Sequence, residues 1–197
     1  MRTDFLLTTL KSTLSKKRVE ELAKVIAESK FPIKELIDLT FHAEEQVGFR
    51  ASWILETMYI NNSICFIPHI SYFFTKFHQQ NNLSSRRHFG KILALMTARN
   101  APFYIAETIH RCETGKLVET VFSWLIDEKV PVAVKSHCLN VLANLCSKHD
   151  WIKSELMETM EFLVDKESIA FYAKVKQVRK QLACIKQQDL IYNGMKN

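Results

Sequence analysis

Glycine and proline are scarce in this chain: its 197 residues include only 4 Gly and 4 Pro, and no Gly-, Ser- or Pro-rich stretch divides it. That argues against a flexible interdomain linker. Residues 1–190 are expected to form one folded unit, with 191–197 as a short tail. The glycines, at 48, 90, 115 and 194, are too dispersed to build a phosphate-cradling loop or a nucleophile elbow. Long apolar runs are also missing, because charges or amides interrupt each one before the roughly 18 residues a bilayer span needs. The N-terminus, Met1-Arg2-Thr3-Asp4-Phe5-Leu6-Leu7, lacks the apolar core and cleavage site of an export signal. A soluble, cytoplasmic protein is expected. Cys65, Cys112, Cys138, Cys146 and Cys184 are an odd set without disulfide spacing, so reduced core thiols are expected.

Acid is missing from one section. Fifty consecutive residues between Glu56 and Glu107 contain no Asp or Glu, yet carry Lys76, Arg86, Arg87, Lys91 and Arg99. The net charge of +6 permits an acidic partner without demanding one.

Helical periodicity fills the rest of the chain, and no segment keeps the period-two alternation of a half-buried strand. The class is all-α. Breaks such as Ser29-Lys30-Phe31-Pro32, Asn61-Asn62-Ser63, Gln80-Asn81-Asn82, Asn100-Ala101-Pro102 and Lys129-Val130-Pro131 supply caps or a first-turn proline. About eleven helices result, joined by loops short enough to make neighbours antiparallel. Pro32, Pro68 and Pro102 recur at intervals of 36 and 34, a repeat length, and each is expected to begin a helix pair.

Burial patterns distinguish a stack from a bundle when read at about 100° per residue. From Glu44 to Ile60, Val47, Ala51, Ile54, Leu55 and Met58 share one face. Phe49, Trp53 and Ile60 form a second apolar stripe almost opposite, which places Trp53 in the junction between successive helix pairs. From Val132 to Cys146, apolar residues cover more than half the circumference, as in a sandwiched helix. From Lys116 to Glu128, a polar stripe of Lys116, Glu119, Thr120, Ser123 and Asp127 marks an outer helix. The last helix keeps one narrow apolar face, Phe171, Val175, Val178, Leu182 and Ile185, as a terminal cap does. The cations around it, Lys174, Lys176, Arg179, Lys180 and Lys186, read as dispersed solubilising charge.

Phe49-Arg50-Ala51-Ser52-Trp53-Ile54-Leu55, Ser85-Arg86-Arg87-His88-Phe89-Gly90-Lys91-Ile92-Leu93 and Pro131-Val132-Ala133-Val134-Lys135-Ser136 through Leu142-Ala143-Asn144-Leu145 resemble inner helices of HEAT repeats. The segment from Phe122 onward resembles small bacterial HEAT-like repeat proteins that have no established activity. The resemblance covers residues 31–187 and implies a right-handed α-solenoid, a superhelix of about five HEAT-like antiparallel helix pairs. It transfers no catalytic residue. Arg50 and Arg87 are 37 residues apart, but Arg87 and Lys135 are 48 apart, so the phasing slips between 102 and 130.

Chemistry is thinly represented. Glu107 and His110 form a single Glu-x-x-His, where a di-iron bundle needs two such motifs and further inward glutamates. His110 with Cys112, and Cys146 with His149, match no zinc-knuckle or finger spacing. Cys138 and His137 are adjacent, and so point about 100° apart on a helix. Alkylpurine DNA glycosylases share HEAT-like architecture and use an aromatic cleft with an acid. The nearest match here, Trp124 with Asp127, falls on a helix that reads as outer. Tyr72, Phe73, Phe74 and Phe77 share their helix with Phe66 and Ile70 as core.

The candidate binding feature is a basic strip on a helix expected from Ser84 to Arg99: Arg87, His88, Lys91 and Arg99, interspersed with Ala94, Leu95 and Ala98. Two readings stay open. Either Arg87 anchors a neighbouring repeat, or the strip meets a partner. The functional expectation is a non-catalytic protein-interaction scaffold that holds a protein or acidic peptide on its inner-helix surface. The alternative is a nucleic-acid-binding HEAT-like protein, related to the alkylpurine glycosylases. No cofactor, metal, membrane or small-molecule substrate is implied. Exhaustive chelation should therefore leave the melting temperature unchanged, and a fall of several degrees would reveal a structural metal.

Overall fold

The computed structural model describes residues 3–29 and 31–194, with the side chains of the last helix described to residue 184. Lys30, in the first of the expected breaks, lies outside the described residues, and so do the side chains of Ile185 and Lys186. Eleven α-helices follow one another: α1 (Thr3–Lys11), α2 (Lys16–Glu28), α3 (Ile33–Leu39), α4 (Glu45–Asn61), α5 (Ile70–Phe77), α6 (Leu83–Met96), α7 (Phe103–Arg111), α8 (Gly115–Ile126), α9 (Val132–Leu145), α10 (Ile152–Val164) and α11 (Ile169–Gly194). A 3-10 segment, Ser63–His69, precedes α5, and the described residues contain no strand.

Local signals set the boundaries. The Ser15 side chain accepts from Arg18 N to cap α2, and Asn82 Oδ1 accepts from Ser85 N to cap α6. Pro32, Pro102 and Pro131 sit at the N-caps of α3, α7 and α9, where a fixed φ and a missing N–H cost nothing. Pro68 departs from the expected pattern: it lies inside the 3-10 segment instead of opening a helix.

The packing is that of a stack. Helices α2, α4, α6, α9 and α11 touch in that order and form an inner layer, while α1, α3, α5 with its 3-10 segment, α7, α8 and α10 back it. The slip in phasing has a simple origin: two helices, α7 and α8, separate inner helices α6 and α9. The inner layer nevertheless closes across the insertion, because Gly90 lets α9 come close. A Cβ built on Gly90 would stand 3.2 Å from His137 Cβ.

The core is continuous. Phe66, Phe73, Phe77 and Phe89 are fully buried, and Trp124 stacks on Phe77 with centroids 4.5 Å apart. The narrow face of α11 is buried at Phe171, Val175, Val178 and Leu182, as a cap requires. Cys138 and Cys146 are buried free thiols, whereas Cys184 is exposed and so is not a core thiol.

Two sequence expectations need correction. Helix α6 stops at Met96, so Arg99 lies in the turn beyond it, out of helical phase with Arg87. Trp53 is not sealed in a junction. The Val47/Ala51/Ile54/Leu55/Met58 face is buried as expected, but Phe49 and Trp53 are only partly covered and Ile60 is 52% exposed. The second stripe faces open space because α2 and α6 flank α4 without covering that side.

Trp124, not Trp53, is the sealed and stacked tryptophan. Trp124→Ala should cost about 3–5 kcal/mol in urea unfolding, since it empties a buried, stacked site. Trp53→Ala should cost about 1–2 kcal/mol, because much of its lining faces solvent. Equal losses would contradict the half-open position of Trp53.

Candidate functional site

A groove of about 730 Å³ runs across the first three inner helices. Helix α4 lines it with Phe49, Trp53, Glu56, Thr57 and Ile60, positions that recur at helical spacing on one face. Helix α6 contributes Arg87, His88 and Lys91, and α2 contributes Lys16 and Glu20.

Glu56 organises the floor. It is 7% exposed, Lys91 Nζ donates to its Oε1 at 2.6 Å, and His88 Nδ1 lies 2.7 Å from its Oε2. Burial opposes ionisation, but the two hydrogen bonds outweigh it and hold the carboxyl below its usual range. An ionised Glu56 can only accept, so the proton of His88 sits on Nδ1. His88 Nε2 is then buried with no hydrogen-bond partner. Trp53 stacks on the His88 ring at 6.4 Å and 18°, and Phe49 approaches the same ring at 5.3 Å. The result is an aromatic wall beside an ion-paired floor.

The acid-free section proves to be partly opposed by acids from neighbouring repeats. Lys76 pairs with Asp38 at 3.1 Å and Arg86 with Asp127 at 3.9 Å, in addition to the Lys91–Glu56 pair. Arg86 also lies over the Trp124 ring and donates to the Gln80 carbonyl. The repeat anchor is therefore Arg86, not Arg87. Arg87 is exposed and makes no ion pair or hydrogen bond with any described residue. Of the strip, Arg87, His88 and Lys91 come together in the groove, while Arg99 does not line it.

Three residues that sequence reasoning passed over belong here. In sequence Glu56 is only the edge of the acid-free section, and Phe49 and Trp53 are members of an apolar stripe. The signal for all three was the second apolar stripe on α4. Beyond the groove, α9 adds His137, whose ring is acted on by the charges of Glu56, Lys91, Arg87 and Lys174.

The other candidates serve local structure. Glu107 pairs with Arg111 one turn on, and the Thr114 hydroxyl meets His149 Nε2 at 2.7 Å. Lys148 donates to the carbonyls of Ile109, His110 and Cys112, closing the end of α7. Among the described residues no group of three or more His, Cys, Asp or Glu could hold a metal. Trp124 and Asp127 belong to α8 and its cap, away from the groove. Burial raises the Cys138 thiol to about 12 and Cys146 to about 11, which leaves neither a ready nucleophile.

An inner layer of five stacked helices backed by an outer layer, with a groove across the inner one, is the architecture of a helical repeat protein. The HEAT repeat domain matches residues 6–184, and the chain belongs to that family. Comparison with curated proteins and with solved structures gives no match. HEAT repeats generally mediate protein interactions and are typically non-catalytic. No helix among the described residues is long and apolar enough to cross a membrane.

His137 yields a test of the electrostatics. Burial, reinforced by Lys91, Arg87 and Lys174 and opposed by Glu56, lowers its pKa from 6.5 to about 4. The unfolded chain therefore binds this proton first, and stability is lost as pH falls from 6.5 toward 4. His137→Asn should flatten that part of the pH profile in urea unfolding. An unchanged slope would mean that His137 titrates normally.

Proposed function

We propose that the inner-layer groove is a docking site for an acidic segment of another protein, and that the chain is a non-catalytic interaction module. The observation that carries this reading is Arg87, an exposed cation with no ion-pair or hydrogen-bond partner among the described residues, set beside the half-open ring of Trp53 in one groove. A carboxylate on an incoming segment would find the planar guanidinium free for bidentate pairing. Apolar side chains beside it would cover Trp53 and Ile60. The acid at the floor matters equally. Glu56 consumes the charge of Lys91, so the groove holds too little free positive charge to act as a nonspecific polyanion track.

Nucleic-acid binding is the second reading, and one observation favours it. Trp53 and Glu56 stand about one turn apart on α4 in a cleft lined by inner helices, an aromatic-and-acid arrangement for which Trp124 and Asp127, on an outer helix, are the nearest match in sequence. Both Glu56 oxygens are, however, engaged by His88 and Lys91. A glycosylase role would have to break that network first.

Affinity capture from the native cell separates the two. Arg87→Glu and Trp53→Ala should each release a captured protein while the fold persists, and duplex DNA should bind negligibly near 150 mM salt. Submicromolar DNA binding at that salt, lost on Arg87→Glu, or excision of an N-alkylated purine from duplex DNA, would overturn the ranking.

A further inference from the structure

Beyond the groove, the inner layer continues from α6 onto α9. Gly90 brings α9 against α6, and this seats His137 over the helix that carries Arg87 and Lys91. On the far side of α9, α11 runs alongside it, tied by Lys135 to Glu167 and by Gln181 to Asn144, and carries Lys174 between those ties; its charge acts on the same imidazole. The Lys174 ammonium is partly buried, and its hydrogen bond goes to Gln177 Oε1 at 2.8 Å, a neutral acceptor. Three inner helices thus bring the charges of Arg87, Lys91 and Lys174 to bear on one histidine, together with that of Glu56.

The charges do not cancel. Arg87, Lys91 and Lys174 supply three positive charges and Glu56 one negative charge, which leaves an excess of two at this point of the inner layer. Nearby, Lys16 and Glu20 offset each other at 3.8 Å. A single carboxylate would neutralise half of the excess. A phosphoryl group, with about −1.5 to −2 charge near neutral pH and three acceptor oxygens, matches it. Arg87 is free to meet two of those oxygens in parallel, as a guanidinium does with phosphate.

We propose that the Arg87, Lys91, His137 and Lys174 cluster is a phosphoryl-recognition site, and that the segment docking on the inner layer is phosphorylated. This rests on the reading of the groove as a protein-docking surface. The choice of a protein-borne phosphoryl group over a nucleic-acid backbone follows from spacing. One compact cation cluster lies beside an aromatic wall and an ion-paired acid, whereas a phosphodiester chain needs cations repeated along its track. Trp53, on the near side of the cluster, is placed to cover a residue flanking the phosphorylated one.

Binding is measured by fluorescence anisotropy on peptide pools with a fixed central residue and four randomised positions on each side. The central residue is phosphoserine, glutamate or serine, and a single-stranded oligonucleotide serves as the fourth probe. The phosphoserine pool should bind about tenfold or more tighter than the glutamate pool, since a charge-assisted hydrogen bond is worth at least that factor. Arg87→Gln should remove the preference, and because Arg87 has no partner in the fold, its circular dichroism melt should match the wild type. Independently, millimolar inorganic phosphate should raise the His137 imidazole titration, followed by NMR, above its phosphate-free value. Chloride at equal ionic strength should not. Equal binding of the phosphoserine and glutamate pools would overturn the phosphoryl assignment and leave the docking surface standing. Absence of binding to every peptide pool would overturn both. Tighter binding of the oligonucleotide than of the phosphoserine pool would overturn the assignment in favour of a nucleic-acid phosphate.

Discussion

Contact between α6 and α9 is the constraint on which the rest of the stack depends. In a repeat array each unit is covered only by its neighbours, and two helices lie between these inner ones where every other junction of the inner layer has a single outer helix or a broken one. The layer stays continuous because Gly90 presents no side chain to His137, whose Cβ would stand 3.2 Å from an added one. Asn144 of α9 then reaches back to the Ala94 carbonyl of α6 and accepts from Gln181 of α11. Without that close approach, α9 and α11 would separate from α4 and α6, and the inner surface would divide at the insertion.

Polar ties at one repeat length reinforce the register. Glu56 and Lys91 are 35 residues apart, Lys135 and Glu167 are 32 apart, and Lys148 caps a carbonyl 39 residues earlier. Arg50 does the same for the end of α1, donating to the Leu10 carbonyl at 2.8 Å. Lys135 is 1% exposed, and an ammonium so placed gains little net stability from its partner because desolvation offsets the attraction. A shift of one helical turn would, however, strand it without a counter-ion, at a cost of about 3–5 kcal/mol. We read these pairs as fixing which turn of one repeat meets which turn of the next.

Much of this was legible in the chain. The helix count, the inner positions of residues 49–55, 85–93 and 132–145, the outer face of α8 and the capping face of α11 all follow from apolar spacing at 3.6 residues per turn. What failed to follow was which of two opposite faces is covered. The Phe49/Trp53/Ile60 stripe has the same periodicity whether a helix packs on it or a groove opens above it, because periodicity records apolarity and not neighbours. The anchoring role went to Arg87 instead of Arg86 for a related reason. Adjacent cations point about 100° apart, and only the position of Trp124, contributed by a distant helix, decides which one is held. Long-range pairing also explains the acid-free section: the acids that meet its cations, Asp38, Glu56 and Asp127, come from flanking repeats.

The partial opposition of that section shapes what the inner surface can do. If Asp38, Glu56 and Asp127 were absent, five cations would form a diffuse positive face that attracts any polyanion in a strongly salt-dependent way. With these acids present, Lys76 and Arg86 are committed to structure and Lys91 is held in place by Glu56. Arg87 is left without an ion-pair partner among the described residues, and Lys174 bonds a neutral amide. Fewer free charges trade reach for selectivity. In the proposed site, a local excess of two charges over a hydrogen-bonded floor would distinguish one anionic group from another by charge and shape, which a diffuse field does not. The aromatic wall adds to this, because Phe49 and Trp53 lean on each other and on the buried His88 ring, which preorganises their partly open rings in the groove beside Arg87. In the proposed site Glu56, although negative, would thus be what confers specificity. It orients Lys91, fixes the His88 proton on Nδ1 and keeps the surrounding positive charge local.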